Sequence, residues 1–168
     1  MISTVVVRLA LVATIVATVG CDRVTKHVAT STLAGRPALS LLADTVRLAY
    51  VENTGGFLSL GADLPLALRT SLFTVATGVL LLALVAFGIH LRWSGWAAFG
   101  LTLFVGGGVS NWVDRVLHGS VVDFINVGVG PLRSGVFNVA DLAITAGVAI
   151  VLVSELRRGR RRRTLARV

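Results

Sequence analysis

The chain is short of what a soluble domain or a metalloenzyme usually relies on. Cys21 is its only cysteine in 168 residues, so neither an intramolecular disulfide nor a thiolate metal cage can form. The three histidines, His27, His90 and His118, are far apart and lack the H-E-x-x-H spacing of a helical zinc site. Charge is scarce too: 14% of residues are charged against 55% hydrophobic, and the mean hydropathy is +0.85. No soluble domain of this size is so apolar, and the composition matches a small helical membrane protein. With only three prolines and as many as eighteen glycines, the chain suits membrane helices that pack closely on small residues.

Four apolar stretches approach the roughly 20 residues needed to cross a bilayer. They cover about 4–21, 66–89, 94–113 and 136–156. No linker or repeat divides them, so residues 1–156 read as one four-span domain, followed by a basic tail at 157–168. Most of the net charge of +8 sits in that tail, on Arg157, Arg158, Arg160, Arg161, Arg162, Arg163 and Arg167. Basic residues directly after an apolar helix mark a cytoplasmic anchor on anionic lipid. Nucleic-acid binding would need them spread over a folded face. Membrane lipid is therefore an expected partner and nucleic acid is not.

A cytoplasmic tail and four spans place both termini and the His90-Leu91-Arg92 turn inside, with 22–65 and 114–135 outside. Asp22, Asp44, Glu52, Asp63, Asp114, Asp123 and Asp141 then gather on the outer side, leaving only Glu155 inside. The stretch from Ala38 to Val51 mixes apolar residues with Asp44 and Arg47 and runs into the turn signal Asn53-Thr54-Gly55-Gly56. Short strands lying on the membrane surface are expected there. The expected fold is thus an all-α membrane protein with four transmembrane helices and a small extracytoplasmic β-like segment. Val16 to Cys21 also has the outline of a lipoprotein cleavage junction. However, Thr18 replaces the favoured leucine and only Arg8 supplies charge upstream, so Cys21 reads as the end of the first span.

Acids at the edge of hydrocarbon are costly unless paired, hydrated or functional. Asn111, Asp114 and Arg115 fall on one helical face. Asn138 and Asp141 repeat the i, i+3 spacing, and Asp22 and Lys26 are one turn apart. Asp123 lies between the third and fourth spans, on the outer loop, among Val121, Val122, Phe124 and Ile125. All of these groups can converge at one depth. Two carboxylates brought together in a partly dry site share a proton, the ionised one activating water and the protonated one supporting an oxyanion. The spacing does not say whether Asp114 or Asp123 would join Asp141. A proton-coupled transporter and a purely structural subunit are the competing readings.

Five ordered blocks carry a resemblance: Asp22-x-x-Thr25-Lys26, Glu52-Asn53-Thr54-Gly55-Gly56-Phe57, Asn111-x-x-Asp114-Arg115, Val122-Asp123-Phe124 and Phe137-Asn138-x-Ala140-Asp141. Together they resemble the bacterial lipoprotein signal peptidases, the type II signal peptidases, over nearly all of the chain up to about Leu156. The resemblance implies an intramembrane aspartic endopeptidase of the bacterial cytoplasmic membrane, with its active site near the outer face and no cofactor or metal. Its implied substrates are diacylglyceryl-modified prolipoproteins, cut just before the lipidated cysteine. It places the catalytic dyad on Asp123 and Asp141, choosing Asp123 over Asp114. Supporting or substrate-binding roles fall on Asp22, Lys26, Asn53, Asn111, Asp114, Arg115, Asn138 and Ala140. Asn53 is expected either to hydrogen-bond the substrate backbone or to stabilise its own turn. The chain departs from the family at Ser110, where glycine is usual, and at Gly56, where alanine is common.

Overall fold

A computed structural model describes residues 4–90 and 95–165, with side chains through Arg160. Leu91 and Arg92 of the expected inner turn lie outside the described residues, as do the first residue of the expected third span and the last three of the tail. Helix α1 (Thr4–Leu33) leads into a hairpin of β1 (Leu39–Leu41) and β2 (Val46–Asn53). A single 3-10 turn at Phe57–Ser59 follows. Next come α2 (Leu66–Arg69), a π-helical stretch (Thr70–Ala76) and α3 (Thr77–His90), continuous as one rod. Helix α4 (Gly95–His118), β3 (Val121–Val129), β4 (Leu132–Arg133) and α5 (Val139–Leu165) complete the chain.

Among the described residues, three helices are long and apolar enough to cross a membrane: Val5–Leu33, Leu66–His90 and Val139–Arg160. Helix α4 is not one of these, because glycines and buried polar groups interrupt its apolar run. It packs against α1, α3 and α5, and its successive glycines face different neighbours. Gly106 meets Thr18 of α1, Gly107 the Ala140 carbonyl of α5, and Gly108 the Leu81 side chain of α3. Consecutive helical residues point about 100° apart, so three glycines in a row let three helices close on one axis. Side chains there would hold them off.

At one end of the bundle the four strands form an antiparallel sheet in the order β1-β2-β3-β4. The expected strands near Ala38–Val51 are β1 and β2. Strand β3 comes from the far side of α4 and pairs with β2 in a register that sets Val51 opposite Asp123 and Asn53 opposite Val121. Asp123 is thus on a strand, where a loop was expected. The β-branched residues Val121, Val122, Ile125, Val127 and Val129 favour that pleated surface.

The first helix outruns its expected end at Cys21 by three turns. Its polar residues are accommodated: Thr25, Thr30 and Thr32 bond back to the Cys21, Lys26 and Val28 carbonyls, while Asp22 and Lys26 turn inward. The helix passes unbroken through Cys21. Helix α5 begins at Val139, just inside the expected start, and continues through the basic tail to Leu165.

Candidate functional site

The sheet end of the bundle collects the buried polar side chains. Asp22, Lys26, Asn53, Ser110, Asn111, Asp114, Asp123 and Asn138 are all buried there, and Thr102 is the one other buried polar residue among those described. Groups removed from water this completely must be hydrogen-bonded to be tolerated.

Lys26 is the hub of one half. Its ammonium reaches Asp22 Oδ2 at 2.6 Å, Asp114 Oδ2 at 2.7 Å and Asn111 Oδ1 at 2.7 Å, which uses all three of its N–H groups. Asp22 is fully buried. Besides Lys26 it accepts the Ser110 hydroxyl at 2.7 Å and the Ala140 backbone N–H at 2.8 Å. That last bond satisfies one of the free donors in the first turn of α5, where the helix dipole also favours a negative charge. Asp114 receives a second cation, Arg23, at 2.8 Å.

The other half is built on the start of α5. Asn138 caps the helix, its Oδ1 accepting the Asp141 N–H at 3.0 Å, and Asp141 Oδ2 accepts the Asn138 N–H at 3.1 Å in return. This is a capping box, with Asn and Asp in place of the usual Ser and Glu. The Asn138 amide also donates to Asp123 Oδ1 at 2.6 Å, so one residue touches both acids. Asn111 donates to Asp141 Oδ1 at 2.9 Å while its own oxygen accepts from Lys26 and from Asn138. Asn53 donates to Asp123 Oδ2 at 2.8 Å and to the Gly56 carbonyl, and accepts the Gly55 N–H. Arg115 holds the Gly55 carbonyl at 2.7 Å, tying the turn that carries Asn53 to α4.

Asp123 and Asp141 therefore receive neutral donors on every carboxylate oxygen, whereas Asp22 and Asp114 each meet a cation. Burial pushes the Asp123 carboxyl up to about 6, with the nearby Asp141 charge adding to the rise. The bonds from Asn53 and Asn138 oppose it without cancelling it. Asp141 is half-buried, which leaves the pair open on one side.

All ten residues singled out in the sequence thus meet in one network. Two participants were not anticipated. Arg23 carries no spacing signal beyond lying next to Asp22. Ser110 stood out only as a departure from the family pattern, and its hydroxyl turns out to be a donor to a buried carboxylate. Ser110→Ala is expected to lower stability by about 1.5–3 kcal/mol, the usual loss for a hydrogen bond to a charged group. Thermal unfolding in detergent measures this, and an unchanged midpoint would show that the hydroxyl contributes nothing.

Comparison with known proteins identifies the family. Residues 14–157 match the family model described as Signal peptidase (SPase) II. The chain is similar to the lipoprotein signal peptidase of Chlorobium phaeobacteroides (strain BS1), 38% identical over 79% of this chain and 86% of that one. It is also similar to the lipoprotein signal peptidase of Streptococcus pneumoniae, 33% identical over 83% and 87%. Among solved structures, one described as a bacterial membrane enzyme at 2.3 Å superposes with a TM-score of 0.76, at 27% identity over 88% of each chain. A second, at 1.9 Å, gives 0.71. The chain is an integral membrane protein and belongs to the signal peptidase II family.

Proposed function

We propose that this protein is an intramembrane aspartic endopeptidase that cleaves diacylglyceryl-modified prolipoproteins just before the lipidated cysteine, using Asp123 and Asp141. One observation carries the reading. Of the four acids in the network, Asp22 and Asp114 are neutralised by Lys26 and Arg23, while Asp123 and Asp141 are joined through Asn138 and meet only neutral donors. Only the second pair can share a proton, which favours Asp123 over Asp114 as the partner of Asp141.

In this mechanism the ionised carboxylate takes a proton from water as the water oxygen adds to the scissile carbonyl carbon. The protonated carboxyl gives its proton to the carbonyl oxygen, forming a neutral tetrahedral diol. Collapse breaks the C–N bond: the protonated carboxyl gives its proton to the departing cysteine nitrogen while the ionised one takes a proton from a diol hydroxyl, leaving a carboxylic acid and a dyad that again holds one proton. Asn138 and Asn111 hold the two acids in register, and Asn53 fixes Asp123 from the sheet side. Both amide hydrogens of Asn53 are already engaged, which supports a positioning role over direct substrate contact.

The membrane placement follows. Helix α4 spans with the other three, its polar face shielded by them, and residues 1–156 act as a single four-span domain with a basic tail. The protein lies in the bacterial cytoplasmic membrane with both termini inside and the sheet on the outer surface. The substrate's acyl chains stay in the bilayer while its scissile bond meets the acids near the outer boundary. An ion-coupled carrier would need polar steps across the whole bilayer, and among the described residues every buried polar group except Thr102 clusters at one end instead.

Purified protein should therefore process a lipidated prolipoprotein and ignore the unlipidated form. Its pH profile should be bell-shaped. A carboxyl raised to about 6 from 3.8 keeps the shared proton further into the mildly acidic range than an ordinary aspartate would. Activity then declines on the alkaline side as that proton leaves, and on the acid side as both acids become protonated. Both limits belong to the pair. Chelators and small thiol reagents should leave cleavage largely intact. Inhibition by a chelator that added zinc reverses would sink the mechanism.

A further inference from the structure

The end of the bundle farthest from the acids carries a groove with no part in peptide hydrolysis. It encloses about 520 Å³ between Trp96, near the start of α4, and Ile150, Val153, Ser154, Arg157 and Arg158 on α5. Sites that hold small molecules fall in the same range, about 300–1,000 Å³.

Its origin lies in the packing of the two helices. At Gly100 and Gly147 α4 and α5 touch backbone to backbone, and a Cβ on Gly100 would lie 2.8 Å from the Gly147 carbonyl oxygen. One turn further along, Trp96 follows on α4, and the gap opens beside it. The indole makes an edge-to-face pair with Phe99, ring centroids 6.0 Å apart, which anchors it at the rim.

The groove is amphiphilic. Ile150, Val153 and the indole make an apolar floor, and two arginines close one end. Arg158 is shared with Glu155 at 3.1 Å, whereas Arg157 has no carboxylate partner among the described residues. A polar peptide would leave the apolar floor unused, and a zwitterionic lipid brings a cation of its own that competes with the arginines for its phosphate. Tryptophan and arginine at the end of a span mark the level where headgroups begin, and basic side chains there attract anionic headgroups.

We propose that this groove binds one anionic phospholipid, with an acyl chain along Ile150, Val153 and Trp96 and its phosphate on Arg157 and Arg158. The proposal rests on the membrane placement given above and is independent of the peptidase chemistry. Native mass spectrometry of the full chain, released from micelles containing phosphatidylglycerol or phosphatidylcholine, tests it. One phosphatidylglycerol should be retained in preference to phosphatidylcholine. The double variant Arg157→Gln/Arg158→Gln should lower that retention about tenfold or more. Trp96→Ala should weaken retention of both lipids. The tail control Arg161→Gln/Arg162→Gln/Arg163→Gln should leave it nearly unchanged. Equal loss in the control and the double variant would reduce the effect to diffuse charge and overturn the proposal. So would equal retention of the two lipids, or indifference to Arg157 and Arg158. Cleavage assayed on the same wild-type sample judges the peptidase reading separately: if cleavage is absent, that reading fails while a lipid result stands.

Discussion

Asp123→Asn and Asp141→Asn should each lower cleavage of a lipidated prolipoprotein by about a hundred- to ten-thousandfold, the range that a positioned acid or base supplies. The amide keeps the shape of the carboxyl but cannot titrate. Neither variant should be perfectly silent in stability. Both oxygens of each acid face N–H donors, and an asparagine can offer an oxygen to only one of them. Leaving one buried donor unpaired costs about 1–3 kcal/mol. Asn111 cannot flip to help, because its oxygen is committed to Lys26 and Asn138. Unfolding midpoints recorded with the rates separate the two effects. If either variant stays inserted and cleaves at close to the wild-type rate, the dyad assignment is wrong.

The largest loss of stability is expected from Lys26→Met. Methionine fills the space of the stem but leaves Asp22 and Asp114 buried without their shared cation. Breaking a buried ion pair from one side costs about 3–5 kcal/mol, which for a chain of this size is a fall in Tm of order 10 °C. Lys26→Arg should not rescue it, because a planar fork cannot meet three acceptors arranged around a single ammonium. Lys26→Met/Asp22→Asn should recover part of the loss by removing one of the stranded charges. A Lys26→Met protein that melts within a degree or two of wild type would mean that the two acids had simply taken up protons at little cost.

Much of this site was legible because its residues sit at helical spacings. Asp22 and Lys26, or Asn138 and Asp141, declare a shared face or a cap without any knowledge of the fold. Hydropathy located the apolar helices for a similar reason, since lipid contact leaves a long uniform signal. It failed where the signal is mixed. The apolar run ends at Cys21, yet α1 continues, because its next polar groups are answered by α4 and α5, distant in sequence. Helix α4 was located as an apolar stretch, but its contacts with three other helices, made through glycines and the polar Ser110 and Asn111, were not. Strand β3 was missed because its partner β2 lies on the far side of three helical segments, and nothing local reports that pairing. The role of Asn53 needed coordinates for the same reason: its turn is local, but its bond to Asp123 is not.

The order in which the chain is made gives the network a further consequence. Asp22 and Lys26 pair within a single turn of α1, so the first helix can enter the bilayer with its two inward charges already offsetting each other. Asp123 and Asp141 have no such early arrangement. Asp123 is placed by the pairing of β2 with β3, and Asp141 by the cap of the last helix, so the pair proposed to be catalytic needs elements from the whole length of the chain. The early pair is thus a matter of one helix alone, whereas the proposed dyad needs the whole chain in place.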